Sequence, residues 1–206
     1  MSVGAPLADA FYLRDTVCVA RDLIGCVVER RCDGGVLRGM IVETEAYGPD
    51  DPASHAFRGR TQRNASMFGP PGRAYVYRIY GVHRCLNAVT REQGRGEAVL
   101  VRALMPLEGM TRMAVNRGTA DARRLCRGPG ALCEAMEIDL ALDGASLTDW
   151  PLRIVHCEAV DRCVRSGPRV GVARAHDRPW RFWLDGSAYV SPPRPAAHAR
   201  GDPSCG

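Results

Sequence analysis

The sequence predicts a single α+β domain, a curved antiparallel β-sheet with one protruding β-hairpin and helices set around it. Three observations carry this. β-prone runs come in pairs joined by short Gly-containing turns, and the helical stretches gather in an N-terminal and a central block instead of alternating with strands. A chain of 206 residues also suffices for one core that buries about 70% of the unfolded surface.

In chain order, Leu7 to Ile24 is apolar at helical spacing, with Asp15 as an N-cap for its second part and Gly25 as its end. Cys26 to Arg31 and Val36 to Tyr47 read as strands around the hairpin signal Asp33-Gly34-Gly35. Gly48 to Gly72, rich in Pro, Gly, Asp and Arg, reads as a long functional loop. Ala74 to Tyr80 and Arg84 to Thr90 make a second hairpin across Gly81, and Glu97 to Leu104 is a further strand. Short helices follow at Leu107 to Met113, Ala120 to Leu125 and Ala131 to Met136. Strands return at Leu152 to Cys157 and Arg181 to Leu184, with a short one at Val170 to Ala173. The domain is expected to span residues 1–190, and residues 191–206, rich in Pro, Gly and Ala, to form a disordered tail.

Composition excludes several chemistries. With 46% hydrophobic and 25% charged residues, and no apolar run near the ~20 residues of a spanning helix, the chain reads as a cytoplasmic protein with no membrane partner. All 28 basic residues are arginine. Schiff-base catalysis by a lysine, pyridoxal chemistry and a Walker-type phosphate loop are therefore out of reach. The net charge of +5 is unevenly spread: residues 55–127 hold 14 Arg against 4 acids, while the flanking segments carry a slight acidic excess. A concentrated Arg field suits a phosphate-rich partner, although basic stretches are often only solvated faces. Nine cysteines without a CxxC pair disfavour structural zinc and imply a reducing compartment. No cofactor or metal is expected.

Two clusters could carry chemistry. Ile41 to Tyr47 ends a strand with Glu43, Glu45 and Tyr47 on one face, and His55 follows in the loop. Two glutamates on one strand face are more often its solvated side than a site. The second cluster interleaves Tyr75, Tyr77 and Tyr80 with Arg73, Arg78 and Arg84, a pattern suited to base stacking and phosphate contact. Tyrosines on a strand more often pack in a core, but Tyr80 falls at the hairpin tip, where little core is on offer. Asn87 and Arg102 sit inside apolar strands and need buried partners or a site; for Arg102 a salt bridge is the plainer account.

These segments, together with Ala53 to His55, Tyr75-Val76-Tyr77, Ile79-Tyr80-Gly81, Cys85-Leu86-Asn87, Leu100 to Leu104, Pro106 to Gly109, Gly128-Pro129, Leu132-Cys133 and Arg169 to Val172, resemble the alkyladenine (3-methyladenine) DNA glycosylase family, in order from about Asp22 to Ser191. The resemblance implies a monomeric, metal-free enzyme acting on double-stranded DNA. Such an enzyme flips a damaged purine out of the duplex and hydrolyses its N-glycosidic bond. It further implies Glu45 as the general base, with Arg102 and the main-chain carbonyl of Val170 helping to hold the attacking water. Tyr47 would stack on one face of the flipped base, with His55 and Tyr77 closing the other side. Ala53 and His55 would bond its edge, Leu100 would complete the base pocket, and Asn87 would crowd the 2-amino group of guanine. Tyr80 would take the flipped base's place in the duplex. Two departures touch phosphate contacts: Gly130-Ala131 stands where the family often has a basic residue, and the hairpin tip carries Val82-His83. Two rivals stay open on the residues alone, a noncatalytic nucleic-acid-binding domain and a metal-dependent nuclease built on Glu43, Glu45 and Asp50.

Overall fold

The computed structural model describes residues 3–157 and 163–192. Its centre is a ladder between two long strands, β3 (Gly35–Tyr47) and β6 (Glu97–Glu108). Both are buried along most of their length, and the structure covers both faces of each: one core cluster holds Ile41, Val99 and Leu104, and a second on the other face holds Met40, Val42 and Ala103. With β1 (Val3–Pro6), β2 (Val27–Cys32), β4 (Ala74–Ile79), β5 (His83–Thr90) and β8 (Leu152–Cys157), the sheet runs β1-β8-β2-β3-β6-β5-β4, antiparallel throughout. The chain is thus the expected single α+β domain on a large antiparallel sheet, which stays open and does not close into a barrel.

One switch of partners positions the site. The first half of β3 pairs with β2 up to Met40, whereas Glu43 to Glu45 pair with β10 (Arg181–Leu184), which also carries β9 (Val164–Gly167). On its other edge β3 meets β6, where the register shifts on both sides of Glu43 and leaves Arg102 as an extra residue between Val101 and Ala103. Such a bulge re-aims one side chain, and here Arg102 turns toward Glu43 and Glu45.

Several expected elements are corrected. The single N-terminal helical stretch is two short helices, α1 (Asp9–Tyr12) and α2 (Thr16–Asp22); Asp15 caps the second by accepting from the N–H groups of Val17 and Cys18. The helix expected from Leu107 starts later. β6 continues to Glu108 because Pro106 and Glu108 find partners in Gly39 and Arg38, and α3 (Met110–Arg117) begins only after Gly109. That glycine has φ +80°, and a Cβ there would drive into the Leu37 side chain. α4 (Ala122–Leu125) and α5 (Pro129–Ala135) lie close to their expected places. No strand forms at Val170 to Ala173; the pairing with β10 is made by β9, which starts six residues earlier. β1 and the two-residue β7 (Thr148–Asp149) were not foreseen, nor was the 3-10 turn Gln62–Phe68 within the long loop. Of the expected tail, Ser191 is buried, and residues 193–206 lie outside the described residues. Among the described residues no helix is long and apolar enough to cross a membrane.

Candidate active site

Glu43 and Glu45 do share a strand face, but that face is interior, and both carboxylates are fully buried. Their surroundings differ. Glu43 is saturated: its Oε1 accepts from Arg102 Nε (3.1 Å), Arg181 Nε (2.7 Å) and Ser191 Oγ (2.9 Å), and its Oε2 from the Ser191 N–H (2.7 Å). Glu45 accepts three bonds, from the Tyr47 hydroxyl (2.7 Å) and Arg102 Nη1 (3.3 Å) on Oε2 and from the Val170 N–H (2.7 Å) on Oε1. A carboxylate offers about four acceptor positions, so one remains, on Oε1. Val170 therefore meets Glu45 through its N–H, where the sequence reading used its carbonyl. Burial and the charge of Glu45 hold the Tyr47 phenol well above its ordinary range, which keeps it a donor.

The three donors that hold this carboxylate line a cavity of about 190 Å³, whose lining does not include Glu45 itself. Tyr47, Ala53, His55, Tyr77, Asn87 and Leu100 line it, together with Arg102 and Val170. Eight of the ten residues singled out in the sequence thus share one cavity, and Glu45 is bonded to three of them. The register explains part of this. Glu45, Leu100 and Asn87 stand opposite one another across β3, β6 and β5, so one row of the sheet carries carboxylate, apolar wall and amide. Asn87 Nδ2 donates to the Tyr75 carbonyl (2.9 Å), leaving its carbonyl end for the cavity. His55 packs edge-on against Tyr77, centroids 4.5 Å apart, and its Nδ1 lies 2.9 Å from the Tyr75 hydroxyl. Cover from its neighbours and the nearby Arg63 push the His55 pKa down, so the imidazole is neutral at pH 7.

Tyr80 stands apart. It is 85% exposed at the tip between β4 and β5, and its backbone has φ 51°, beside Gly81 at 74°. A bulky residue with positive φ costs about 1 kcal/mol or more, and an exposed aromatic gains nothing from packing to offset it. Arg58, Arg60 and Arg63 in the long loop and Arg78 on the hairpin are likewise exposed, and Arg63 Nη2 donates to the Arg78 carbonyl (3.0 Å), tying loop to hairpin.

Sequence reasoning left three sets of residues unassigned. Met67 lines the cavity with no signal of its own in the sequence; Tyr75 and Cys85 line it too, the first from the tyrosine cluster and the second from a segment that carried the resemblance, though neither was assigned to the pocket. Arg169 pairs with Asp51 inside the protein and covers the ring of Tyr47. Arg181 and Ser191 anchor Glu43. None of these last pairings has a local signal, since each joins residues more than 100 positions apart. Among the described residues no group of three or more His, Cys, Asp or Glu is placed to hold a metal ion. The acids of the nuclease alternative do not converge: Glu43 and Glu45 are committed to arginine, and Asp50 lines a different pocket, with Arg95 and Arg178.

Residues 10–201 match the family described as methylpurine-DNA glycosylase. A relative from Methanoculleus marisnigri is 50% identical over 90% of this chain and 98% of its own length. Others from Rhodopseudomonas palustris and Agrobacterium fabrum are 47% and 49% identical, each covering more than nine-tenths of both chains. All three are provisionally named 3-methyladenine DNA glycosylase. A family match along almost the whole sequence, with relatives near half identical end to end, leaves one assignment: the chain belongs to the methylpurine-DNA glycosylase family.

Proposed function

We propose that this protein is a DNA-repair glycosylase that flips alkylated or otherwise damaged purines out of double-stranded DNA and hydrolyses the N-glycosidic bond, leaving an abasic site. The observation that carries the reading is the buried Glu45 carboxylate, outside the cavity lining but held by three donors that do line it, Tyr47, Arg102 and Val170, with one acceptor position left on Oε1. A noncatalytic binding module has no use for an acceptor so oriented.

The steps follow from the residues. A paired base is out of reach of a recessed carboxylate, so the nucleotide must leave the stack at a cost of a few kcal/mol. Tyr80, exposed on the hairpin tip, fills the gap, while Arg58, Arg60, Arg63 and Arg78 supply charge for the phosphates. The flipped base enters between Tyr47 on one side and His55 with Tyr77 on the other. Its edge meets Ala53 and the Asn87 carbonyl, which turns away a 2-amino group for want of room. Glu45 then takes a proton from a water on its open position as that water attacks C1′, and its negative charge stabilises the oxocarbenium-like sugar. Arg102 and Val170 fix the carboxylate. One chain carries every one of these groups, so a monomer suffices.

The test is base release from duplexes containing one 3-methyladenine, hypoxanthine or ethenoadenine, measured in EDTA. Free base and an intact abasic strand are expected, because a chain without lysine has no side-chain amine for strand cleavage through an imine. Damaged duplex bound without any base release would return the protein to the class of binding modules.

A further inference from the structure

Tyr47 meets a cation before any substrate arrives. The Arg169 guanidinium carbon lies 4.6 Å from the Tyr47 ring centroid, and Arg169 is buried and outside the cavity lining. The face it covers is therefore not the face turned to the cavity. Arg169 is fixed there by the Ala46 carbonyl (Nη1, 2.9 Å), the Ala175 carbonyl (Nη2, 3.3 Å) and both oxygens of Asp51. Asp51 in turn accepts the Ala53 N–H (3.1 Å). This buried pair thus braces two walls of the base pocket, and it presents its positive end to the ring.

An aromatic ring attracts a cation through the negative potential above its faces. A guanidinium on one face draws that density toward itself, so a second cation on the opposite face meets a weakened attraction and a direct repulsion. A neutral base loses much less. Damaged purines divide on this point: 3-methyladenine carries a fixed positive charge while still attached to its sugar, whereas hypoxanthine and ethenoadenine are neutral. Glu45 sits at the phenol edge of the same ring, and its charge is the same in every variant compared below.

We propose that Arg169 is a specificity-determining residue: acting through Tyr47 and balanced by Asp51, it shifts the pocket's preference from cationic toward neutral damaged purines. The inference rests on the glycosylase reading and on Tyr47 as the stacking face.

The test is the ratio of single-turnover release of 3-methyladenine to that of hypoxanthine and ethenoadenine, corrected for spontaneous loss, from matched duplexes. Arg169→Gln/Asp51→Asn keeps amide hydrogen bonds without charge, and the ratio should rise about fivefold. Asp51→Asn alone leaves the guanidinium unbalanced, and the ratio should fall by about threefold. A residue that merely packs would slow all lesions together and leave the ratio alone. The two variants share Asp51→Asn but predict opposite shifts, so if circular dichroism shows one unfolded the direction of the shift in the other still decides. Ratios unchanged, or moving the same way in both variants, would overturn the proposal. A wild-type protein that released no base at all would instead overturn the glycosylase reading beneath it.

Discussion

Replacing Glu43 by glutamine separates the two neighbouring glutamates. Glu43 receives four donors, two of them from guanidinium groups, and is fully buried. The best glutamine rotamer puts its carbonyl at the Oε1 position and keeps three donors, but its amide then faces the Ser191 N–H, donor against donor. The charge opposite Arg102 and Arg181 is also lost. Removing one partner of a buried ion pair costs about 3–5 kcal/mol, a large part of the stability of a typical domain. At about 2–4 °C per kcal/mol for a chain of this size, the melting temperature should fall by about 6–20 °C. Thermal unfolding by circular dichroism reads the shift, and single-turnover base release on the folded protein reads the rest. A modest loss of rate is expected, because Arg102 keeps Glu45 but loses its second anchor. A melting temperature within about 2 °C of wild type would refute the saturated-anchor assignment.

Two further predictions follow from the geometry. Tyr80→Ala should lower base release from a stably paired lesion by about fivefold or more, since stacking worth ~1–3 kcal/mol is lost, and should spare a mismatched lesion; a fluorescent base analogue reports flipping, and an unchanged signal would make Tyr80 a bystander. Glu137, whose carboxyl is drawn down to about 2 by its hydrogen bonds from Arg112, stabilises the fold above the ordinary carboxylate pKa and loses that contribution as pH falls from about 4.5 to about 2. Glu137→Gln should flatten the melting-temperature profile in that window and leave base release at neutral pH unchanged.

The strands and the core of the site were legible because their signals are local. Alternation and Gly-containing turns mark the two hairpins, and a strand ending Glu43-Thr44-Glu45-Ala46-Tyr47 puts a carboxylate and an aromatic ring on adjacent positions of one face. What stayed hidden depends on distant pairing. The stretch from Leu107 looks helical in isolation, yet the first half of β3 draws it into the sheet. Val170 reads as a strand by its valines, but the strand just before it, β9, already fills that edge, and the chain instead bends to aim one N–H at Glu45. Ser191 looks like the start of a tail by composition; only folding brings its N–H to Glu43, 148 residues away. The expectation that two glutamates on a strand face are its solvated side failed for a related reason, since β10 and the Val190–Ser191 segment cover that face with Arg181 and Ser191.

The central claim is that Glu45 takes the proton from the attacking water, and Glu45→Gln tests it most directly. Glutamine keeps the shape and a carbonyl for Val170 or Tyr47 but cannot accept a proton, so single-turnover base release from a hypoxanthine duplex should fall by about 10²–10⁴-fold. Binding of the same duplex should stay within about tenfold of wild type, or about 1.4 kcal/mol. Base release by the glutamine variant within a few-fold of wild type would remove Glu45 from that role.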